Sequence, residues 1–199
     1  MQFISYLING ISLGSVYAII ALGYTMVYGI AKMLNFAHGD IIMVGSYVVY
    51  IAVSSLGLNP ILSVVISAIV CLVLGVVIEK VAYKPLRHAS KLAVLITAIG
   101  VSYFLQNMAL LIFGANTKSF TSVVPAVSVQ LGGITITAET IVTIVACIVI
   151  MICLTLFINK TKAGHAMQAV SEDQDAAQLM GINVNATISL TFAIGSALA

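Results

Sequence analysis

AVLITAIGVSYFLQNMALLIF, residues 93–113, decides the fold. It contains no charged residue, and a helix needs about 20 predominantly apolar residues to cross a hydrocarbon core. Nor does it alternate apolar with polar residues, as the ~10-residue strands of a membrane β-barrel do. It reads as one membrane-spanning helix.

The rest of the chain extends that reading. Of its 199 residues, 61% are hydrophobic and 7% charged, against about 25% charged in an ordinary soluble domain. Such a chain cannot clothe a globular surface in water, which excludes soluble enzymes, nucleic-acid binders and disordered regulators. Uncharged stretches cover 1–31, 41–78, 92–117, 140–159 and 176–199. The second is long enough for two spans and is interrupted by Gly57, Asn59 and Pro60, which mark a turn. Six apolar helices are expected, near 3–30, 41–56, 60–79, 92–113, 140–159 and 186–199. The fold class is all-α, a polytopic membrane helix bundle forming a single transmembrane domain over 1–199.

Both ends of the chain carry expectations. No Lys or Arg precedes Lys32, so the first helix lacks the basic n-region of a removable signal peptide. The last run, ATISLTFAIGSALA (186–199), rises about 21 Å, short of the ~30 Å core. The chain is therefore expected to be the N-terminal part of a longer membrane protein. Between spans, 119–138 is rich in Val, Thr and Ser and holds Pro125. Within it, VSVQLGGITIT, with Gly132-Gly133 at its centre, reads as a small extracytoplasmic hairpin.

If all six helices span, segments 31–40, 80–91 and 160–185 share one side. They hold seven of the eight Lys and Arg residues, and the other side holds only Lys118. Basic residues in short loops mark the cytoplasm, so these loops are expected inside and the N-terminus outside.

Signs of catalysis are scarce. Cys71, Cys147 and Cys153 sit in apolar helices without CxxC spacing. His38, His88 and His165 are far apart in sequence, and neither a metal-binding HExxH nor a phosphate loop occurs. Asp40 reads as the cap of a helix starting at Ile41. No charge is expected deep in a span, which argues against an ion-coupled pump. No catalytic residue, metal or cofactor site is expected. Thr97, Gln106 and Asn107, polar residues of the fourth helix, are candidates for interhelical hydrogen bonds or for a translocation path. Gly10, Gly14 and Ala18 recur every four residues, with Ala21, Thr25 and Gly29 on another face. Such spacing suits close helix packing, within the bundle or against a second membrane subunit.

The most informative loop is KTKAGHAMQAVSEDQDAAQLMGINVNATISL, residues 160–190. Ser171 to Gln174 fits a capping box, with Glu172 and Asp173 in a first turn that favours negative charge. Gly181 is the expected stop. Ala176, Ala177, Leu179 and Met180 form an apolar patch between them. A helix of about nine residues is marginal alone in water, so its patch must be covered by the membrane surface, by the bundle, or by a groove on a cytoplasmic partner.

The chain resembles the LivH-type permeases of branched-chain amino-acid ABC importers along essentially its whole length. Three segments carry the resemblance: NGISLGSVYAIIALGYTMVYGIAKMLNFAHGDIIMVG (9–45), KLAVLITAIGVSYFLQNMALLIFGAN (91–116) and AMQAVSEDQDAAQLMGINVNATISLTFAIGSALA (166–199). It implies that the 160–190 loop is the coupling element engaging ATP-binding subunits. Gly164, Ala169, Asp173, Ala176, Ala177, Leu179 and Gly181 match the family motif by position, with the cap residues Ser171 and Glu172 beside them. Gln168 stands where the family often has Arg, and Ala186 where it often has a basic residue. These departures weaken the case for a salt bridge to the ATPase but not for the docking shape.

The resemblance further implies an ATP-driven, alternating-access importer of branched-chain or hydrophobic amino acids in a bacterial inner membrane. Its implied partners are two cytoplasmic ATP-binding subunits, a second permease subunit, a periplasmic or lipid-anchored substrate-binding protein and membrane lipid, with no nucleic acid. Two other readings compete. One is an ATPase-independent channel or secondary transporter for small polar solutes. The other is a membrane enzyme of lipid metabolism, which would need His38 and Asp40 to act together.

Overall fold

A computed structural model describes residues 2–87, 89–118, 128–131 and 134–199. The chain runs through α1 (Gln2–Ala31), α2 (His38–Ser54) and α3 (Pro60–Ile78). A π-turn (Glu79–Tyr83) and a 3-10 turn (Lys84–Leu86) extend α3, and α4 (Lys91–Phe113) follows. Then come strands β1 (Ser128–Leu131) and β2 (Ile134–Thr137), and helices α5 (Ala138–Lys160), α6 (Lys162–Glu172), α7 (Gln174–Leu179) and α8 (Val184–Ala197). Among the described residues, Phe3–Ala31, Pro60–Leu86, Lys91–Phe113 and Ala138–Lys160 are long and apolar enough to cross a membrane, while α2 and α8 are apolar but shorter. The six expected helices are thus present, within a few residues of the expected bounds. Side chains such as Ile61 and Leu111 point outward, as lipid allows and water would not.

Local chemistry sets the ends. Asn59 accepts a hydrogen bond from the Ile61 N–H (3.0 Å), with Pro60 in the first turn of α3. Ser90 accepts from Ala93 N–H at the start of α4, and Asn183 from Ala186 N–H at the start of α8. These caps occupy N–H groups that have no partner within the helix. The two strands pair antiparallel, Leu131 opposite Ile134. Their Gly132-Gly133 link, Pro125 with the rest of 119–127, and His88 lie outside the described residues.

At the centre, α3 packs against α2 and α8, and α1 packs against α5 and α8. Small residues permit this. A Cβ on Gly75 would overlap Ser196 Oγ of α8, and one on Gly23 would lie 2.9 Å from the Gly195 carbonyl oxygen. Over Gly10 and Gly14 a Cβ would meet no described atom within 4 Å, and Ala18 is half-buried. The close crossing falls further along α1 because α8, only 14 residues long, meets it around Gly23 and Val27.

The α1–α2 connection departs from expectation. The helix α2 begins at His38, Ala37 before it makes no side-chain cap bond, and Asp40 is its third residue rather than its cap. Asn35, Ala37 and His38 are buried, and the Tyr83 hydroxyl bonds Asn35 Oδ1 (3.1 Å). This connection is no surface loop. It dips into the bundle, where irregular backbone is tolerated because protein rather than lipid surrounds it. Lys32, at its start, stays exposed.

Candidate functional site: a docking tip, an ionic knot and a buried polar pair

The corner between α5 and α6 is built on Thr161 and Gly164. Thr161 Oγ1 donates to the Phe157 carbonyl (2.7 Å) and accepts from Gly164 N–H (3.0 Å). A Cβ on Gly164 would overlap the carbonyl oxygens of Phe157 and Ile158. Gly164→Val is therefore expected to destabilise the purified protein by about 3 kcal/mol or more, the upper end of overpacking costs, because the obstacle is backbone. An unchanged thermal midpoint would contradict this geometry.

Beyond the corner, α6 turns Gly164, Met167 and Val170 into the core. Its amphipathic stripe carries the helix through Ser171 to Glu172, so the expected capping box does not form. The Ser171 hydroxyl donates to the Gln168 carbonyl (2.7 Å), and Glu172 closes α6 instead of opening the next helix. Asp173 breaks the chain at φ −150°, ψ 115°. Its Oδ1 accepts from the N–H groups of Asp175 (2.9 Å) and Ala176 (3.0 Å). A carboxylate is the stronger acceptor for free N–H groups, and Asp173 is the residue placed to reach them. The helix it caps, α7, has six residues rather than nine. Gly181, at φ +84°, ends it. Gly181 N–H donates to the Gln178 carbonyl and Ile182 N–H to that of Ala177 (both 3.0 Å), the paired bonds of a Schellman stop.

This geometry divides the expected apolar patch. Ala177 turns inward and joins the core, and Ala169 packs half-buried against it. Ala176 faces out, and Leu179 and Met180 are 89% and 84% exposed. Around them stand the exposed carboxylates of Glu172, Asp173 and Asp175. The tip lies outside the spans, at the end of the bundle where Lys32, Arg87, Lys91 and Gln174 line one cavity. The three basic segments therefore meet at one end.

Just behind the tip is an ionic knot that sequence reading did not anticipate. Glu79, in the π-turn, is fully buried. Arg87 Nη2 pairs with Glu79 Oε1, and Arg87 Nη1 donates to Asn185 Oδ1. Ser189 Oγ donates to Glu79 Oε2 (2.6 Å). The end of α3 is thereby tied to the first turns of α8. The available hint was a Glu closing an apolar span eight residues before an Arg.

A second polar group lies deeper. Ser67 Oγ donates to the Gly45 carbonyl (2.8 Å) and Cys71 Sγ to that of Ile41 (3.7 Å). These bonds set Asp40 level with Cys71, about 11 Å inside Ile78 at 1.5 Å per residue. A carboxylate is thus buried in the bundle alongside the apolar helix α3, where no charge was expected. Asp40 is 7% exposed, and its Oδ1 accepts from Gln106 Nε2 (3.0 Å), which also donates to Ser102 Oγ (3.1 Å). Asn107, one residue on, turns away and bonds its own helix at the Tyr103 carbonyl. Thr97 is half-buried nearer the start of α4. His38 faces α1, edge-on to Tyr24 (6.0 Å), so His38 and Asp40 address different helices and form no catalytic pair. Above Asp40, a cavity of about 960 Å³ opens between α2, α3 and the ends of α4 and α8, with Ser46, Tyr50, Ser67 and Asn116 among its apolar walls. That is the size range of small-molecule sites.

Outward-facing apolar spans place the protein in lipid. It is a multi-pass membrane transport subunit, not an enzyme. Residues 6–199 match the family described as branched-chain amino acid transport system / permease component, and the chain belongs to that family. It is 42% identical to the high-affinity branched-chain amino acid transport system permease protein BraD of Pseudomonas aeruginosa, in an alignment covering all of this chain and 68% of the relative. Identity to LivH of Escherichia coli strain K12, a permease protein of the same description, is 39% with the same coverage. A probable branched-chain amino acid transport permease protein LivH of Methanocaldococcus jannaschii is 29% identical, over 91% of this chain and 59% of the relative. No solved structure matches the chain.

Proposed function

We propose that this chain is the permease subunit of an ATP-driven importer of branched-chain or other hydrophobic amino acids. It lies in a bacterial inner membrane with its N-terminus outside and its basic end in the cytoplasm. The observation that carries the reading is the docking tip: Leu179 and Met180, largely exposed outside the spans on a rigidly capped turn. Two cytoplasmic ATP-binding subunits would take this tip from the permease pair into their grooves. A second permease subunit would cover the open face of α1 at Gly10 and Gly14, and a periplasmic or lipid-anchored binding protein would deliver substrate. The basic residues gathered at the docking end support the orientation.

Movement of the tip has a route inward. From α7 it passes to α8, then through Asn185, Ser189 and Arg87 to Glu79 on the extension of α3. Close contacts at Gly75–Ser196 and Gly45–Ser67 carry it on to α2. The Asp40 carboxylate and Gln106 amide are matched to the ammonium of an amino acid in transit, and the apolar cavity walls to its side chain. Of the three polar α4 candidates, the bond to Asp40 favours Gln106 as a path residue over Thr97 and Asn107. Proteoliposomes holding this permease with its partner subunits are expected to take up leucine only with ATP inside the ATPase compartment. Uptake by the permease without ATPases would instead support the channel or secondary-transporter reading.

A further inference from the structure

The cavity at the basic end, about 400 Å³, has two kinds of wall. Lys32, Arg87 and Lys91 supply positive charge; Leu34, Leu95 and Ile188 supply apolar surface. Arg87 is nine-tenths buried and pairs with Glu79, yet its Nε has no partner among the described residues. Lys32 and Lys91 are exposed and form no ion pair among the described residues. Two uncompensated ammonium groups thus flank a buried guanidinium over an apolar floor, between helices and at a span end.

We propose that this cavity binds the phosphate group of an anionic phospholipid, its headgroup held by Lys32 and Lys91 beside the buried Arg87 guanidinium. Cationic side chains select a phosphate over a zwitterionic headgroup, where choline would meet like charge. The apolar wall accepts the start of an acyl chain, which free phosphate does not need. Gln174, first residue of α7, also lines the cavity, so the headgroup would touch the docking helix. The inference does not depend on the transport reading.

The test is native mass spectrometry of the delipidated full chain, titrated with phosphatidylglycerol, phosphatidylcholine or inorganic phosphate. The variant is Lys32→Asn with Lys91→Gln. Asparagine tolerates the left-handed φ of +56° at position 32, and both sites are exposed, so folding is kept and is verified by circular dichroism. The wild type is expected to retain phosphatidylglycerol over phosphatidylcholine. The double variant is expected to lose roughly 30-fold in phosphatidylglycerol affinity, the strength of two basic side chains near an anionic headgroup. Displacement of the lipid by millimolar inorganic phosphate would show that the phosphate alone is recognised; resistance to it would show that the tails are needed as well. Either supports the site. Equal retention of both lipids, or unchanged affinity in the double variant, would overturn it.

Discussion

Arg87→Ala is expected to destabilise the purified protein by about 3–5 kcal/mol, the cost of stripping one partner from a buried ion pair. Glu79 has no exposed surface. Without the guanidinium its carboxylate keeps only the Ser189 hydroxyl, and Asn185 loses its donor. The damage falls where α3 and α8 meet, so it should also loosen the Gly75–Ser196 crossing one to two turns along. Adding Glu79→Gln to Arg87→Ala should recover part of the loss, because a neutral amide needs no counter-charge. The check is reversible unfolding in mixed detergent for both single variants and the double. Wild-type stability in Arg87→Ala would contradict a buried, charge-compensated knot. A double variant no better than Arg87→Ala would assign the loss to shape instead of charge.

The spans were legible because lipid imposes a single strong demand, that every exposed backbone group be satisfied within the segment, and apolar length reports it directly. The Gly57–Pro60 turn and the Gly181 stop were legible for a similar reason: each is a local backbone requirement. What escaped was set by partners distant in sequence. Asp40 had every mark of a helix cap until Gln106, 66 residues away, took its carboxylate. Ser171 fitted an N-cap, but the core-facing stripe of α6 carries the helix past it and leaves the cap to Asp173. Ala177 and Leu179 looked equivalent in an apolar patch, yet only tertiary packing decides which of two residues on a short helix faces inward. The Glu79–Arg87–Ser189 knot joins residues up to 110 apart, beyond the reach of any local rule.

Leu179→Glu combined with Met180→Glu is expected to abolish coupling to the ATP-binding subunits while leaving the permease folded. Both side chains are almost fully exposed, and surface changes of this kind normally move stability by less than about 0.5 kcal/mol. Once docked, each buries an apolar side chain worth about 1.5–3 kcal/mol. Their sum of roughly 3–6 kcal/mol corresponds to a loss of about 10²- to 10⁴-fold in affinity, before the cost of burying two new carboxylates is added. The neighbouring Ala177 provides the contrast. Being buried, Ala177→Arg should fail by misfolding, since a guanidinium would enter the core unpaired, so its loss of activity would say nothing about docking. Two measurements separate the cases: the thermal midpoint of the permease, and ATPase activity stimulated by loaded binding protein in the assembled complex. The Leu179/Met180 variant should keep the first and lose the second. If it retains wild-type stimulation, the tip is not the contact, and the force that moves α8 must enter the bundle elsewhere.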